Sequence, residues 1–411
     1  MAIRPRRKAV IIGGSMAGLF AGHFLRRAGW QVDIFERTTG ALSGRGAGIM
    51  THPELLDALR AIGLQIGDDF GVPIATRVTI DRNGDAIASR AFPQIATSWT
   101  RVHAMLADSF PRADYHAGVE FVGFEQTADG VTVSFGNRQS IGADMLIGAD
   151  GFRSSVRRLL FPELAPEYAG YVAWRGILPE TDMECAPFEQ TSLFTFNLPS
   201  GEHMIGYPVA GPGNDLRPGK RNYNFVWYTP ADERRDLPSL LTDRDGKRHE
   251  LSIPPTMVAP SVIANMRAHA DRVLAPWFRA VVERTPAPFF QPIYDLAVPR
   301  MAVGRVALIG DAAFVVRPHV GAGVLKAADD ARTLAEACTA ECDIVPALQA
   351  FSATRVPVGE TMIARARYLG SYLRTAYASD SERAAAALVA APDTVMAETA
   401  ALDFLRAPRQ T

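Results

Sequence analysis

The chain has 411 residues, of which 48% are hydrophobic and 21% are charged, and its formal net charge is −1. A chain of this length and apolar content can bury a sizeable core, and we expect two closely packed domains. The near-zero charge argues against nucleic acid as a partner, because phosphate binding leaves a strongly basic footprint. No apolar stretch reaches the roughly 20 residues that span a bilayer, so we expect no membrane partner either.

Cysteine usage bears on the cellular compartment. The chain has three cysteines, Cys185, Cys338 and Cys342, and none of them has the spacing of a metal site. An odd number without paired spacing is typical of a reducing cytosol, so we expect a cytoplasmic protein without a metal centre. We interpret all three cysteines as packing residues.

The stretch from Lys8 to Arg37 has the pattern of a dinucleotide-binding unit: a buried strand, a glycine-rich turn, a helix and a second strand. In such a turn Gly13 makes the bend and Gly18 permits close packing of the helix on the strand. The middle position is Ser15 instead of glycine, and its N–H or hydroxyl can still meet a phosphate. Glu36 ends the second strand, where a carboxylate accepts ribose hydroxyls. The alternative is an ordinary βαβ unit.

A glycine-rich loop follows the second strand and leads into a helix that we expect to begin near Pro53. Arg45, Gly48 and Ile49 in this loop are candidates for contact with a cofactor. The alternative is a flexible surface loop. His52 either faces a pocket or caps the helix.

Residues 74–91 alternate in polarity around a DRNGD turn, which predicts a hairpin in a second sheet. Arg101 lies near the start of the helix that follows. It could hold a phosphate with two hydrogen bonds, and the alternative is a solvated surface arginine.

Two later strands end in an acidic residue. The strand at Met145 runs into Asp150 and a helix, and the strand RVALIG runs into Asp311. After Asp311, the segment Gly321–Gly323 precedes a long helix. A carboxylate at a strand end can bind a ligand hydroxyl, and N–H groups at the start of a helix can stabilise negative charge.

Between these strands, residues 168–296 consist of short segments rich in aromatic residues, as expected for an antiparallel sheet with one face over a ligand. A helical segment broken near Pro276 is expected to cover this sheet. Aromatic residues at strand spacing are more often core than ligand contacts. This applies to Trp174, Tyr207, Phe225 and Trp227.

Three patterns together resemble a known family. They are the turn that leads to Glu36, the GADGxxSxVR pattern at Gly148–Arg157, and the GD pair at Gly310–Asp311. From Lys8 to Cys338 the chain resembles the single-component flavoprotein aromatic hydroxylases of the para-hydroxybenzoate hydroxylase fold. The segments YVAWRG, YPVAG and GDAAFVVRPHVGAG resemble members that act on hydroxypyridines.

The resemblance implies an α/β fold in three parts. A Rossmann-type, glutathione-reductase-like FAD-binding domain carries an inserted substrate domain with an antiparallel sheet, and helices follow at the C-terminal end. In the C-terminal helices we expect no chemistry. The expected divisions are residues 1–73, 97–167 and 297–345 for the FAD-binding domain, 74–96 and 168–296 for the substrate domain, and 346–411 for the C-terminal helices.

The resemblance also implies FAD as cofactor, with NAD(P)H and O2 as co-substrates. Only one dinucleotide turn is present, so NAD(P)H should visit the flavin transiently. The titratable candidates near the reacting ring are His319, Tyr207 and His203, and a structural role is the alternative for each. The candidate FAD-binding residues are Gly13, Ser15, Ala17, Gly18, Glu36, Arg37, Arg45, Gly48, Ile49, Arg101, Val122, Asp150, Asp311, Pro318, Gly321, Ala322 and Gly323.

The expected activity is hydroxylation of an electron-rich aromatic or N-heteroaromatic ring, of hydroxypyridine or phenol type, through a flavin C4a-hydroperoxide. One alternative is another oxygenase of the same fold, an epoxidase or a Baeyer–Villiger enzyme; no WxWxIP segment of the halogenase kind is present. A second is a non-enzymatic binding protein similar to GDP-dissociation inhibitors. The oligomeric state is left open, with a homodimer as one alternative.

Overall fold

The computed structural model describes residues 7–40, 48–183, 192–374 and 377–406. The described strands are β1 (Lys8–Ile12), β2 (Gln31–Glu36), β3 (Gly48–Met50), β4 (Val72–Ile80), β5 (Ala86–Ser98), β6 (Tyr115–Ala117), β7 (Phe121–Gln126), β8 (Val131–Phe135), β9 (Ser140–Ala143), β10 (Met145–Gly148), β11 (Glu167–Pro179), β12 (Phe194–Asn197), β13 (His203–Val209), β14 (Asn222–Pro230), β15 (Phe289–Ala297), β16 (Ala302–Val303), β17 (Val306–Leu308) and β18 (Phe314–Val315).

The described helices are α1 (Met16–Arg27), α2 (Pro53–Ala61), α3 (Trp99–Asp108), α4 (Ser155–Leu160), α5 (Leu237–Leu240), α6 (Pro260–Val273), α7 (Pro276–Arg284), α8 (Gly323–Ala340), α9 (Ile344–Leu369), α10 (Asp380–Val389), α11 (Pro392–Glu398) and α12 (Asp403–Arg406). None of these helices combines the length and the apolarity that a membrane crossing requires.

The first sheet is the predicted Rossmann unit. Its strand order is β16-β17-β10-β1-β2-β6, and β1 pairs in parallel with both β2 and β10. The central strands are almost continuously apolar because both faces of a parallel sheet are covered. Helix α1 packs tightly against the turn before it: a Cβ built on Gly18 would lie 1.9 Å from the Gly13 carbonyl oxygen. The βαβ prediction is therefore confirmed, including the reason for Gly18.

Within the described residues, the second sheet has nine strands in the order β18-β15-β11-β14-β13-β12-β4-β5-β3. The predicted hairpin is β4 and β5, and it belongs to this second sheet as expected. The sheet is antiparallel except that β12 pairs in parallel with β4. Strand β3 also joins it through β5, so the loop after the Rossmann unit reaches the second sheet. The domain division itself stays a prediction.

The two faces of the second sheet pack against different material. One face carries Trp174, Phe225 and Trp227 and is buried in an apolar cluster with α6 and α7. These two helices are separated before Pro276, as the sequence predicted. The opposite face carries Tyr171, Tyr207 and other aromatic residues, and packs partly against the C-terminal residues.

The interpretation of all three cysteines as packing residues was wrong for one of them. Cys338 is buried on α8, and its burial raises the pKa of the thiol to about 11. Cys342 is exposed, because α8 has ended and the chain runs over the surface to α9. Cys185 lies outside the described residues.

Candidate active site

A first cavity lies at the glycine-rich turn, and we call it the turn cavity. Its volume is about 190 Å³. It opens where β1, β2 and β10 end, which is the edge at which parallel α/β sheets bind ligands. The lining residues include Gly13, Ser15, Glu36, Arg37, Phe121 and Asp150.

The carboxylate of Glu36 is fixed by backbone donors. Its two oxygens accept hydrogen bonds from the N–H groups of Gly14 and Thr38, each at 2.9 Å. Glu36 is only 8% exposed, so its orientation at the end of β2 is well defined. Ser15 precedes α1 without a side-chain cap, and the first turn of α1 has no acidic residue. The start of α1 is thus available to an anion.

The walls of the turn cavity leave no room for side chains at the two glycines. Gly13 has φ +107°, and a Cβ there would lie 2.3 Å from the carbonyl oxygen of Ala149. A Cβ on Gly14 would lie 2.1 Å from the Tyr115 hydroxyl. The packing of the turn therefore requires glycine at both positions, and Gly13 lines the cavity with its backbone. These residues fit the diphosphate and adenosine end of FAD.

The GADGxxSxVR pattern serves mainly to join two strand ends. The carboxylate of Asp150 accepts a hydrogen bond from the Ser155 N–H at 2.6 Å and one from the Ser154 hydroxyl, so it caps α4. Arg157 is buried and donates to the backbone oxygens of Asp311 (3.4 Å) and Ala312 (3.1 Å). The pattern thus fixes the Asp311 turn relative to β10.

A second cavity lies against one face of the nine-stranded sheet, and we call it the sheet-face cavity. Its volume is about 250 Å³. Strands β11, β13 and β14 form one wall, and the segment from Asp311 to the first turns of α8 forms another. The lining residues include Arg175, Tyr207, Tyr228, Asp311, His319 and Lys326.

Two histidine–tyrosine pairs support this cavity. His319 lines it, and its Nε2 is 2.8 Å from the Tyr171 hydroxyl. His203 lies one layer behind, with its ring 6.0 Å from that of His319 and its Nδ1 2.8 Å from the Tyr372 hydroxyl. Burial lowers the pKa of His203 to about 3 and that of His319 well below its usual value. Both imidazoles are therefore neutral at neutral pH.

Arg175 brings a positive charge into the sheet-face cavity. Among the described residues, no carboxylate lies within ion-pairing distance of it. Two tyrosines, Tyr207 and Tyr228, share the cavity, and burial raises the pKa of both hydroxyls. The Tyr207 ring stacks on the Phe194 ring, and the two ring centroids are 5.0 Å apart. The cavity therefore combines the Arg175 guanidinium with neutral hydroxyl groups and aromatic surfaces, and Arg317 and Lys326 also line it.

The start of α8 forms the opposite side of the cavity. Gly321 has φ +65°, the left-handed conformation that favours glycine. A Cβ on Gly323 would meet no atom within 4 Å, so this position faces open space. No acidic residue lies in the first turn of α8. At this position the free N–H groups and the helix dipole can stabilise a ring that gains negative charge. This arrangement fits the isoalloxazine end of FAD.

The C-terminal region, in which we expected no chemistry, supplies part of the cavity wall. Thr399 and Ala400 line the sheet-face cavity. The N–H of Ala400 donates to the His319 carbonyl at 2.8 Å. Buried Arg77 donates to the carbonyl oxygens of Met396 and Thr399 at 2.5 and 2.7 Å. Arg77 and the His319 carbonyl oxygen hold the C-terminal backbone through hydrogen bonds. The C-terminal sequence alone does not indicate these distant partners.

The predicted FAD-binding residues divide between the two cavities. Gly13, Ser15, Glu36, Arg37 and Asp150 line the turn cavity, and Gly48, Ile49, Asp311, Pro318, Gly321, Ala322 and Gly323 line the sheet-face cavity. Gly18 and Ala17 lie in α1, where a Cβ on Gly310 would approach the Ala17 side chain at 2.8 Å. As cofactor contacts, all of these residues stay predictions.

Three further candidate FAD-binding residues line neither cavity or fall outside the described residues. Arg101 forms an ion pair with Asp69 at 2.8 Å. Val122 is 62% exposed on β7, and only its neighbours line the turn cavity. Arg45 falls outside the described residues. His52, the ambiguous residue before α2, does not cap the helix through its side chain; its Nε2 lies 3.2 Å from the Gly321 carbonyl oxygen.

Sequence reasoning missed several residues of the sheet-face cavity and its support. Arg175 and Tyr171 lie in the YVAWRG segment, where alternation along β11 could have placed both on one face of the sheet. Lys326 had a weaker signal, a lysine in an otherwise apolar helix start. Tyr372 had no recognisable signal.

The fold and the two cavities together define a class: FAD-dependent oxidoreductases that combine a Rossmann unit with a large second sheet. Two family models match the chain. A model described as "NAD(P)-binding Rossmann-like domain" covers residues 11–59, and one described as "FAD binding domain-like" covers residues 168–295.

The chain belongs to the family of FAD-dependent monooxygenases that act on aromatic and heteroaromatic rings. It is 34% identical over 369 residues to 2,6-dihydroxypyridine 3-monooxygenase of Paenarthrobacter nicotinovorans, covering 89% of this chain and 91% of that protein. It is 26% identical to 6-hydroxynicotinate 3-monooxygenase of Pseudomonas fluorescens, covering 80% of this chain and 81% of the relative. The relatives are enzymes, so the non-enzymatic alternative is set aside.

Solved structures agree with this assignment. The structure of 2,6-dihydroxypyridine-3-hydroxylase from Arthrobacter nicotinovorans matches with a TM-score of 0.83 and 32% identity, over 92% of this chain and 96% of that one. Klebsiella pneumoniae HpxO, solved with FAD and uric acid, matches with a TM-score of 0.74 at 23% identity, over 95% of this chain and 97% of that one. The second match shows the fold alone. The predicted family, fold class and cofactor are confirmed.

Proposed function

We propose that this protein hydroxylates an electron-rich ring of the hydroxypyridine or phenol type, with FAD as cofactor and with NAD(P)H and O2 as co-substrates. The relative with 34% identity is named for a dihydroxypyridine, and a more distant one for a hydroxynicotinate. The single dinucleotide turn supports a transient visit by NAD(P)H, because FAD would already occupy that unit.

The observation that carries the proposal is that the Arg175 guanidinium faces the aromatic part of the sheet-face cavity without a carboxylate partner among the described residues. A guanidinium in such a place recognises planar, oxygen-bearing anions with two parallel hydrogen bonds. A hydroxypyridine that has lost a proton is such an anion. Tyr207 and Tyr228 add flat apolar surfaces and hydroxyls that can fix the ring's orientation.

Bound FAD would supply the activation of O2, and the residues of this chain would prepare the ring. Arg175 binds and orients it, which aligns one carbon with the cofactor. The cavity walls exclude water, aided by Thr399 and Ala400. These tasks need no further protein nucleophile.

His319 is the proposed hydrogen-bond acceptor for the ring's hydroxyl group. It lines the cavity, its Nδ1 has no hydrogen-bond partner among the described residues, and burial keeps its ring neutral by lowering its pKa. A hydrogen bond from the ring's hydroxyl to Nδ1 would orient the ring and polarise its O–H bond, which raises the electron density of the ring. Tyr171 lies on the other side of the imidazole. The Arg317 guanidinium carbon lies over the Tyr171 ring, 5.6 Å from the centre of that ring, and Arg317 forms an ion pair with Asp295. Tyr171 therefore fixes the imidazole as a positioning residue.

The test uses the purified, FAD-loaded enzyme with a panel of hydroxypyridines and phenols. NAD(P)H oxidation, hydroxylated product and hydrogen peroxide are measured together. We expect at least one ring to be hydroxylated with little peroxide release. If none of the rings stimulates NAD(P)H oxidation, the proposed substrate class is wrong.

The same assay tests Arg175. We expect Arg175→Met to lower kcat/KM by about 100-fold, equivalent to about 2.7 kcal/mol, because the ring anion loses its charge partner. FAD content should not change. The control is Arg234→Met, since Arg234 is exposed and outside both cavities. Equal kcat/KM in the wild type and Arg175→Met would assign substrate recognition to other residues.

A further inference from the structure

Lys326 is a buried lysine with no hydrogen-bond partner in the described protein. It is the fourth residue of α8, is 1% exposed and lines the sheet-face cavity. Its Nζ makes no hydrogen bond among the described residues. An ammonium group in such a position has lost its hydration without replacing it, so the position is costly unless a ligand supplies the missing partner.

The acids near Lys326 do not compensate this charge. The Oδ1 atom of Asp311 is 3.5 Å from Nζ, but the Asp311 side chain is 55% exposed and its charge is largely screened by water. Asp330, one turn further along α8, is already used by Arg355 at 2.8 Å and by the Gly310 N–H at 2.9 Å.

Lys326 also lies near the N-terminal end of its helix, where a positive charge is unfavourable. The N-terminal end of an α-helix carries partial positive charge, so a cation there is disfavoured by the helix itself. The free N–H groups of Gly323 and Val324 and the ammonium of Lys326 therefore add positive potential on the same side of the sheet-face cavity. Three positive features around one cavity wall indicate that the wall meets negative charge.

We propose that Lys326 stabilises the negative charge that reduction places on the flavin ring, and so raises the reduction potential of the bound FAD. The alternative anion in FAD is the diphosphate. Lys326 lines the sheet-face cavity and not the turn cavity, where the start of α1 and Gly13 provide the groove for a diphosphate. The ring is therefore the part of FAD that Lys326 can serve. The inference rests on FAD being bound as proposed above.

The test compares Lys326→Met with the wild type in the FAD-loaded form. The midpoint potential is measured by reductive titration against a reference dye, and sulfite affinity is measured from the loss of flavin absorbance. Sulfite is informative because its addition to oxidised flavin also leaves negative charge on the ring. We expect the two-electron equilibrium constant for reduction to fall about tenfold, or about 30 mV, and sulfite to bind about tenfold more weakly.

Three controls separate a tuning role from a structural one. Lys326→Arg should keep most of the potential, and Lys247→Met, which removes an exposed lysine, should leave it unchanged. Lys326→Gln is measured in parallel in case the methionine variant does not fold. The FAD dissociation constant of the oxidised enzyme should change less than about threefold, because oxidised flavin carries no ring charge.

Two results would overturn the inference. One is a folded, FAD-loaded Lys326→Met or Lys326→Gln enzyme with unchanged potential and sulfite affinity. The other is an equal loss of affinity for oxidised and reduced FAD, which would assign Lys326 to the phosphates. Failure of the proposed function is distinguishable, because then the wild-type enzyme itself would not couple NAD(P)H oxidation to ring hydroxylation.

Discussion

The two faces of the nine-stranded sheet have similar compositions and different roles. Along β14, Phe225 and Trp227 point to one face, and Val226 and Tyr228 point to the other. Both sets are aromatic or apolar and both are buried. The first face packs against α6 and α7, although a cavity of about 740 Å³ opens beside Trp174 and Trp227. The second face lines the sheet-face cavity opposite the start of α8. What separates the two faces is the material opposite them and not their own residues.

Buried polar atoms of both faces include some with a hydrogen-bond partner and some without one in the described part of the chain. On the packed face, the Trp227 indole N–H donates to Glu202 at 2.8 Å, and Glu202 in turn contacts His269 at 2.5 Å. On the cavity side, Nε2 of His203 and Nδ1 of His319 have no partner among the described residues. The Tyr223 hydroxyl and the Trp277 Nε1 on the packed face also lack a partner among the described residues, so the cavity side differs in that its unsatisfied atoms include those of two neutral histidines.

The largest expected effect of a single substitution is the loss of stability when a large side chain is removed from the packed face. Trp227→Ala removes a fully buried ring that α6 and α7 cannot replace, and we expect the free energy of unfolding to fall by about 3–5 kcal/mol. The measurement is denaturant unfolding at saturating FAD. Substrate affinity of the remaining folded enzyme should stay close to wild type. A stable variant with impaired substrate binding would mean that the two faces are not separate in function.

An intermediate effect is expected from pH, because buried neutral histidines resist protonation. His203 has a pKa of about 3 in the folded protein, against about 6.5 in an unfolded chain. The unfolded state therefore binds more protons between these values, and stability is present above pH 6.5 and declines as pH falls below it. From pH 7 to pH 5 the contribution of His203 amounts to about 2 kcal/mol.

His203→Gln isolates this contribution. Its free energy of unfolding should fall less steeply between pH 7 and pH 5 than that of the wild type, at the same FAD concentration. Parallel pH dependences would show that the His203 ring can accept a proton in the folded protein, and that the cavity side is wetter than its burial indicates.

The smallest expected effect comes from removing one tyrosine hydroxyl from each face, which compares the two faces directly. Tyr207→Phe removes one hydroxyl from the sheet-face cavity and keeps the stacking on Phe194, so we expect kcat/KM to fall roughly tenfold with a stability change under about 1 kcal/mol. Tyr223→Phe is the matched control, since Tyr223 is fully buried on the packed face. The comparison fails if both variants, or neither of them, lose activity.

The sequence could predict the parts of the site that depend on neighbouring residues. The turn at Gly13, the strand that ends in Glu36 and the hairpin of β4 and β5 follow from periodicity and turn chemistry within about 30 residues. The family resemblance then supplied the order of the domains. For these parts, short stretches of sequence determine short-range geometry.

The remaining parts depend on contacts between distant residues. Tyr372 meets His203 across 169 positions, and Met396 meets Arg77 across 319. Neither tyrosine nor arginine carries a local signal for such a partner, because the hydrogen bond exists only after the sheet and the C-terminal helices have packed. For the same reason, an unpaired Lys326 cannot be recognised from its helix alone.

The docking of Ala400 on the His319 carbonyl has a consequence for how the enzyme is made. Strands β1, β2 and β10 can assemble once β10 has left the ribosome, but the wall at Thr399 and Ala400 is synthesised some 250 residues later. Because domains fold as they emerge, we expect the wall beside His319 to form last, so the sheet-face cavity is completed only when synthesis is nearly finished.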